Sequence, residues 1–107
     1  MKAVDFLTLY NSSFCEICRL EEMIQDSPQA MKGEYQKRIE NLKEKCLNVL
    51  SAIEKIGDSK LQLVLKERYV KGSTFKEAAE SLFLSERHFY RLHNRALKEI
   101  EKILEGD

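Results

Sequence analysis

The sequence predicts an all-α protein: an N-terminal helical hairpin followed by a three-helix helix-turn-helix unit. Three observations carry this. Apolar residues recur at steps of three and four along almost the whole chain, the spacing of one helix face. No stretch shows the sustained alternation of a half-buried strand. The breakers are few, four Gly and one Pro in 107 residues, and they fall between the periodic segments. Such a length suits one domain, or a small domain with a helical extension. With 43% hydrophobic and 34% charged residues, the composition is globular rather than disordered.

The first helix is expected over residues 4–24, where Val4, Leu7, Tyr10, Phe14, Ile17, Leu20 and Ile24 form the stripe. Asp26-Ser27-Pro28-Gln29 ends it, because Pro lacks the amide to continue a helix and restricts the residue before it. Gly33 is read as a second break. A second helix then runs from about residue 34 to 56, with Tyr35, Ile39, Leu42, Cys46, Val49, Ile53 and Ile56 as its stripe and alternating Lys and Glu outside. Two amphipathic helices with a short connection pair antiparallel. Residues 1–56 are therefore a hairpin, serving as packing, dimer or partner surface.

Gly57-Asp58-Ser59 is a stop followed by a start, with Asp58 or Ser59 capping a third helix over 60–70. Lys71-Gly72-Ser73-Thr74 breaks that helix. Thr74 and Glu77 then match a capping box that opens a short fourth helix over 75–82. Phe83-Leu84 makes a tight turn, and Ser85 caps a fifth helix reaching about residue 104. Residues 57–107 are read as the DNA-binding unit with an extended last helix.

Function is concentrated in residues 73–97, STFKEAAESLFLSERHFYRLHNRAL, a short helix, a turn and a capped longer helix. In a DNA-binding helix-turn-helix the second helix lies in the major groove. Ala78 and Ala79 offer a small surface for a close crossing, and Phe89, Leu92 and Ala96 face inward. Glu86, Arg87, Tyr90, Arg91 and Asn94 then face outward, donor-rich side chains suited to base edges. Lys71, Ser73, Thr74, Lys76 and Arg95 flank them as candidate phosphate contacts. The formal charge is zero, yet residues 60–98 hold nine basic against four acidic side chains, a balance of +5, and residues 99–107 carry −3. A local positive potential steers a polyanion whatever the total. The same pattern also fits the solvated face of a plain bundle, and spacing alone leaves both readings open.

The stretch from Ile56 to Leu97 resembles region 4 of bacterial sigma-70 factors, and more closely the small phage regulators of the RinA and ArpU type that share that fold. The features are Asp58, Leu65-Lys66-Glu67-Arg68-Tyr69-Val70, Gly72, Glu77-Ala78-Ala79, Ser85, Arg87, Tyr90-Arg91 and Arg95-Ala96-Leu97. The resemblance implies sequence-specific binding of duplex DNA to control transcription in a phage or prophage, with RNA polymerase as a further candidate partner. Carried over by position, Glu86, Arg87, Tyr90 and Arg91 fall where the family reads bases, and Thr74, Lys76 and Arg95 near its phosphate contacts. Two departures stand out. The turn carries Phe83 where Gly is usual, so it is expected either to take another geometry or to pack Phe83 under a helix. Glu86 opposes phosphate and suits cytosine N4 instead.

Other signals are weaker. Cys15 and Cys18 form a CxxC with Cys46 elsewhere, but a structural zinc needs four ligands, so packing is the expected use. His88 and His93 are five apart and make a poor metal pair, and His93 is expected to face solvent or a phosphate. Neither a cofactor nor a metal is expected, and no catalytic set appears, so the chain is not read as an enzyme. The odd cysteine count, the absence of an apolar run near the roughly 20 residues that span a bilayer, and Asp5 within the opening segment together predict a reduced, cytoplasmic protein with no membrane partner. The apolar stripe Leu97, Ile100, Ile103 and Leu104 is left to pack on the hairpin or form a homodimer interface. The rival function is a protein-interaction module contacting RNA polymerase or another regulator. A small DNA-packaging subunit ranks third.

Overall fold

The computed structural model describes residues 2–106 and is all-α, with no strand among them. In order these are α1 (Ala3–Asp26), α2 (Gln29–Glu54), α3 (Ser59–Leu65), α4 (Phe75–Ser81) and α5 (Glu86–Gly106), with α3 continued by one wide π-helical turn (Lys66–Val70).

Helices α1 and α2 form the expected antiparallel hairpin, joined only by Ser27 and Pro28. Ser27 closes α1 by donating its hydroxyl to the Met23 carbonyl, and Pro28, with φ −59°, sets the entry to α2. Gly33 is not a break: α2 runs straight through it. Its cost in a helix is only about 1 kcal/mol, too little to stop a helix of 26 residues packed along its partner.

The hairpin is bound together at its far end by Ile17, Leu20 and Ile39, with Ile24, Tyr35, Leu42 and Cys46 around them. At its open end Leu7, Val49, Ala52, Ile53 and Ile56 enter one continuous core with Leu61, Val64, Leu65, Phe89, Leu92, Ala96 and Ile100. Of the two places left open for the α5 stripe, the structure shows the hairpin: Ile100 is fully buried in this core, and Ile103 and Leu104 pack against it. The hairpin tip projects, so the molecule measures 51 × 32 × 19 Å. Two parts of the expected stripe lie outside the core, since Val4 and Phe14 are exposed and Ala3 and Ser13 are buried instead. Cys15 and Cys18 are exposed rather than packed, and Cys46 is half-buried with its thiol donating to the Tyr10 carbonyl at 3.6 Å.

Asp58 caps α3, its carboxylate accepting from the Lys60 amide at 2.9 Å. The π turn that follows is closed by the Lys71 amide on the Lys66 carbonyl at 2.9 Å. One extra residue in this turn lets both Glu67 and Tyr69 point inward. Buried Glu67 is paired with Lys71 Nζ at 2.7 Å. Gly72 then turns the chain with φ +77°, so close to α1 that a Cβ there would lie 3.1 Å from Asn11 Nδ2.

The capping box of α4 is present: the Glu77 amide donates to Thr74 Oγ1 at 3.1 Å, and the Thr74 amide to Glu77 Oε1 at 3.0 Å. That amide bond, with the Thr74 side chain adding to it, holds the Glu77 carboxyl below its usual range. The end of α4 corrects the expectation for Phe83. The Phe83 amide donates to the Glu80 carbonyl at 3.1 Å and the Leu84 amide to the Ala79 carbonyl at 2.9 Å. This pair of bonds is a Schellman motif, whose left-handed position is normally Gly. Here Phe83 takes it with φ 58°, and its ring is 96% exposed rather than tucked under a helix. The backbone bonds fix the geometry, so the side chain is carried into solvent.

His93 is also corrected, being buried rather than facing solvent. A 2.7 Å hydrogen bond links its Nε2 to the Tyr69 hydroxyl. Phe75 meets His93 edge-on at 4.9 Å and Phe89 at 5.8 Å, and stacks on Tyr90 at 4.6 Å. The Arg68 guanidinium lies 4.8 Å over the Phe75 ring and donates from Nη1 to the Ser73 carbonyl at 3.1 Å. These contacts join the π turn, α4 and α5. Burial, and then the positive charge of Arg68, hold the His93 pKa below the ordinary imidazole value.

The three special backbone positions predict opposite outcomes. Gly33→Ala meets nothing within 4 Å and raises stability by roughly 0.5–1 kcal/mol. Gly72→Ala lowers stability by about 1 kcal/mol or more from positive φ alone, with the Asn11 contact adding to it. Phe83→Gly relieves strain with no packing lost, for a gain of up to about 1 kcal/mol. Urea unfolding of the three variants measures all three signs.

The depressed His93 pKa predicts acid sensitivity. Below about pH 6.5 the unfolded chain takes up a proton that native His93 resists, so stability is full above that pH and falls as pH drops toward the native pKa. The slope between about pH 6.5 and 5 flattens in His93→Asn, even though that variant is less stable at pH 7.5. Urea midpoints measured across that range for both proteins check it.

Candidate nucleic-acid interface

Helix α5 presents two faces set by its inward residues. Phe89, Leu92, Ala96 and Ile100 are buried, so Glu86, Arg87, Tyr90, Arg91 and Asn94 are turned outward, and all five are exposed. Glu86 with Tyr90 and Arg87 with Arg91 are each four apart, which places them in two adjacent rows. Ala78 and Ala79, fully buried, lie where α4 meets α5. Ser85 accepts a hydrogen bond from the His88 amide at 3.1 Å and fixes the start of α5. Arg87, Arg91, Arg95 and Lys76 have no ion-pair partner among the described residues. Among the described residues their charges are uncommitted.

The five expected phosphate contacts divide. Lys76 and Arg95 are exposed, with no ion-pair partner among the described residues. Lys71 is exposed, but its ammonium is drawn to Glu67. The Thr74 hydroxyl accepts from Glu77, leaving its own proton to donate. Ser73 is half-buried, with its amide donating to the Glu67 carbonyl at 3.2 Å and its carbonyl accepting from Arg68. Lys76, Thr74 and Arg95 are thus the more available members, while Lys71 and Ser73 help to build the π-turn corner.

Sequence spacing missed the contact that ties α4 to the outward face of α5. Tyr90 is half-exposed, and its ring lies against Phe75, the first residue of α4, at 4.6 Å and 19°. Its hydroxyl forms no hydrogen bond among the described residues. Nothing in local spacing pairs positions 75 and 90, which meet only because the turn folds α4 back on α5. The inward setting of His93 did have a signal, since 89, 93, 96 and 100 continue the inward row at steps of four, three and four.

Among the described residues no group of three or more His, Cys, Asp or Glu side chains is arranged to hold a metal, and no helix is long and apolar enough to cross a membrane. No curated protein and no solved structure matches the chain. A family model described as a protein of unknown function (DUF1492) does match, over residues 20–101, from the last two turns of α1 into the last turns of α5, and the chain belongs to that family.

Proposed function

We propose that the protein binds duplex DNA sequence-specifically through α4 and α5, and so regulates transcription, as a phage or prophage regulator resembling sigma-70 region 4. The observation that carries this is the outward face of α5. Its arginines stand unpaired among the described residues, on a helix whose opposite side is locked into the core and whose start is fixed by Ser85. A rigid helix with free guanidinium groups is what base-edge recognition requires, since Arg reads guanine through two parallel hydrogen bonds. Lys76, Thr74 and Arg95 supply the sequence-independent attraction to phosphates. The segregation of charge, +5 over residues 60–98 within a neutral chain, orients the approach.

A second reading is favoured by one observation. Phe83 is a bulky apolar ring held at positive φ and 96% exposed. Beside it Leu82 and Leu84 join Leu63, Val64 and Leu92 around a small, mainly apolar groove edged by Lys60. A protein partner such as RNA polymerase or another regulator is the alternative occupant of the α4–α5 corner.

Fluorescence anisotropy with labelled duplex DNA selected from a random-sequence pool, and with scrambled duplex as control, tests the DNA reading. Arg91→Ala is expected to weaken the selected duplex by about 1–3 kcal/mol with little change on scrambled DNA. Lys76→Ala weakens both and lowers the salt slope by about one. Failure of the folded protein to bind any duplex at low salt overturns the proposal and favours the protein partner.

A further inference from the structure

We infer that Tyr90 engages a backbone phosphate rather than a base, and that Phe75 is the residue that positions it. This rests on the DNA-binding reading and changes the role that sequence position assigns to Tyr90. On a helix of 3.6 residues per turn, Tyr90 stands about 60° from Arg87 and about 100° from Arg91. His93, which is buried, lies on its other side at a similar angle of about 60°. Tyr90 is therefore at the border of the outward face, on the side where α4 packs, while Arg87 and Arg91 occupy the centre.

The stack decides what the ring can do. Phe75 covers Tyr90 at 4.6 Å and 19°, so one face of the phenol is already occupied by protein and poorly placed to stack on a base. The Arg68 guanidinium lies 4.8 Å over Phe75, and the edges shared with His93 and Phe89 lock the Phe75 ring from the core side. With Arg68, His93, Phe89 and Tyr90 all against the Phe75 ring, the phenol belongs to a fixed cluster of rings. Beyond its outer face, what the ring offers a ligand is its hydroxyl, unpaired among the described residues and on the side where α4 packs. Phe75 lies in the chain between Thr74 and Lys76, two available phosphate-facing side chains. A neutral donor placed in that company serves an anionic oxygen, and phosphate contacts position a protein without carrying sequence information.

The test separates hydroxyl from ring. Tyr90→Phe keeps the stack and removes only the hydroxyl. Affinity is expected to fall about five- to tenfold, equally on selected and scrambled duplexes. Because the hydroxyl is uncharged, the salt slope stays as in the unaltered protein, unlike that of Lys76→Ala. Phe75→Leu alone produces a similar loss, and Phe75→Leu added to Tyr90→Phe produces no further one, because Phe75 acts through the hydroxyl. Should Phe75→Leu fold poorly, methylphosphonate substitution scanned along the selected duplex replaces it: one neutralised phosphate is expected to abolish the difference between the unaltered protein and Tyr90→Phe. A loss confined to the selected duplex makes Tyr90 a base reader and overturns the inference, as does unchanged affinity of Tyr90→Phe on DNA that the unaltered protein binds. Absence of binding by the unaltered protein overturns the DNA reading and this inference together.

Discussion

The hydrogen bond between the Tyr69 hydroxyl and His93 ties the end of the π turn to the middle of α5, and the outward face of α5 inherits its position from that tie. Both groups are buried, so each needs the other; a buried polar group left without a partner costs about 1–3 kcal/mol. Around the bond, Phe75 fills the angle between α4 and α5, and Arg68 covers Phe75 while its own Nε is buried without a partner. The α-helical segments of α3 and α4 have only seven residues each. Helices that short do not persist alone in water, so their orientation is set by this joint and by the core beneath it.

The π turn explains how three successive residues serve different sides of the joint. Glu67 is buried and pairs with Lys71, Arg68 lies across the aromatic rings, and Tyr69 reaches His93. An ordinary α-helical turn advances each residue by about 100°; the wider turn changes that advance just where α3 passes between the hairpin and α5. Asn11 against Gly72 extends the same corner into α1. The core likewise crosses from hairpin to C-terminal unit without interruption, and the family match spans both.

Much of this architecture was legible in the sequence. Helix order followed from periodicity, and the caps at Thr74 and Ser85, with Asp58 as one of two candidates, followed from side chains whose hydrogen bonds are local. What local signals did not carry was the outcome of competition between levels. Gly33 reads as a breaker, but long-range packing along α2 outweighs its small intrinsic cost. Phe14 reads as core, but along the hairpin α2 covers a narrower arc of α1 than the stripe, and Val4 reads as core where Ala3 and Leu7 take the inward positions instead. His93 reads as polar surface by residue type, although its spacing places it inward and Tyr69 supplies the partner that makes burial tolerable. The outward row of α5 was visible; the Phe75–Tyr90 stack was not, because it depends on the path of the turn.

Phe83 shows how that path is fixed. The two Schellman hydrogen bonds require a left-handed residue between α4 and α5, and they are made whether that residue is Gly or Phe. Strain at this position is therefore not relieved by the fold: the ring packs against nothing and is wholly in water. A residue that costs the folded state about 1 kcal/mol and returns no packing within the chain has its use, if any, outside it. That side chain lies at the turn, whereas the arginines lie along the outward face of α5 and Tyr90 at its α4 border. The two candidate contact regions use different parts of the same rigid corner, so a DNA contact through α5 leaves Phe83 and the groove beside it as a separate feature of the surface.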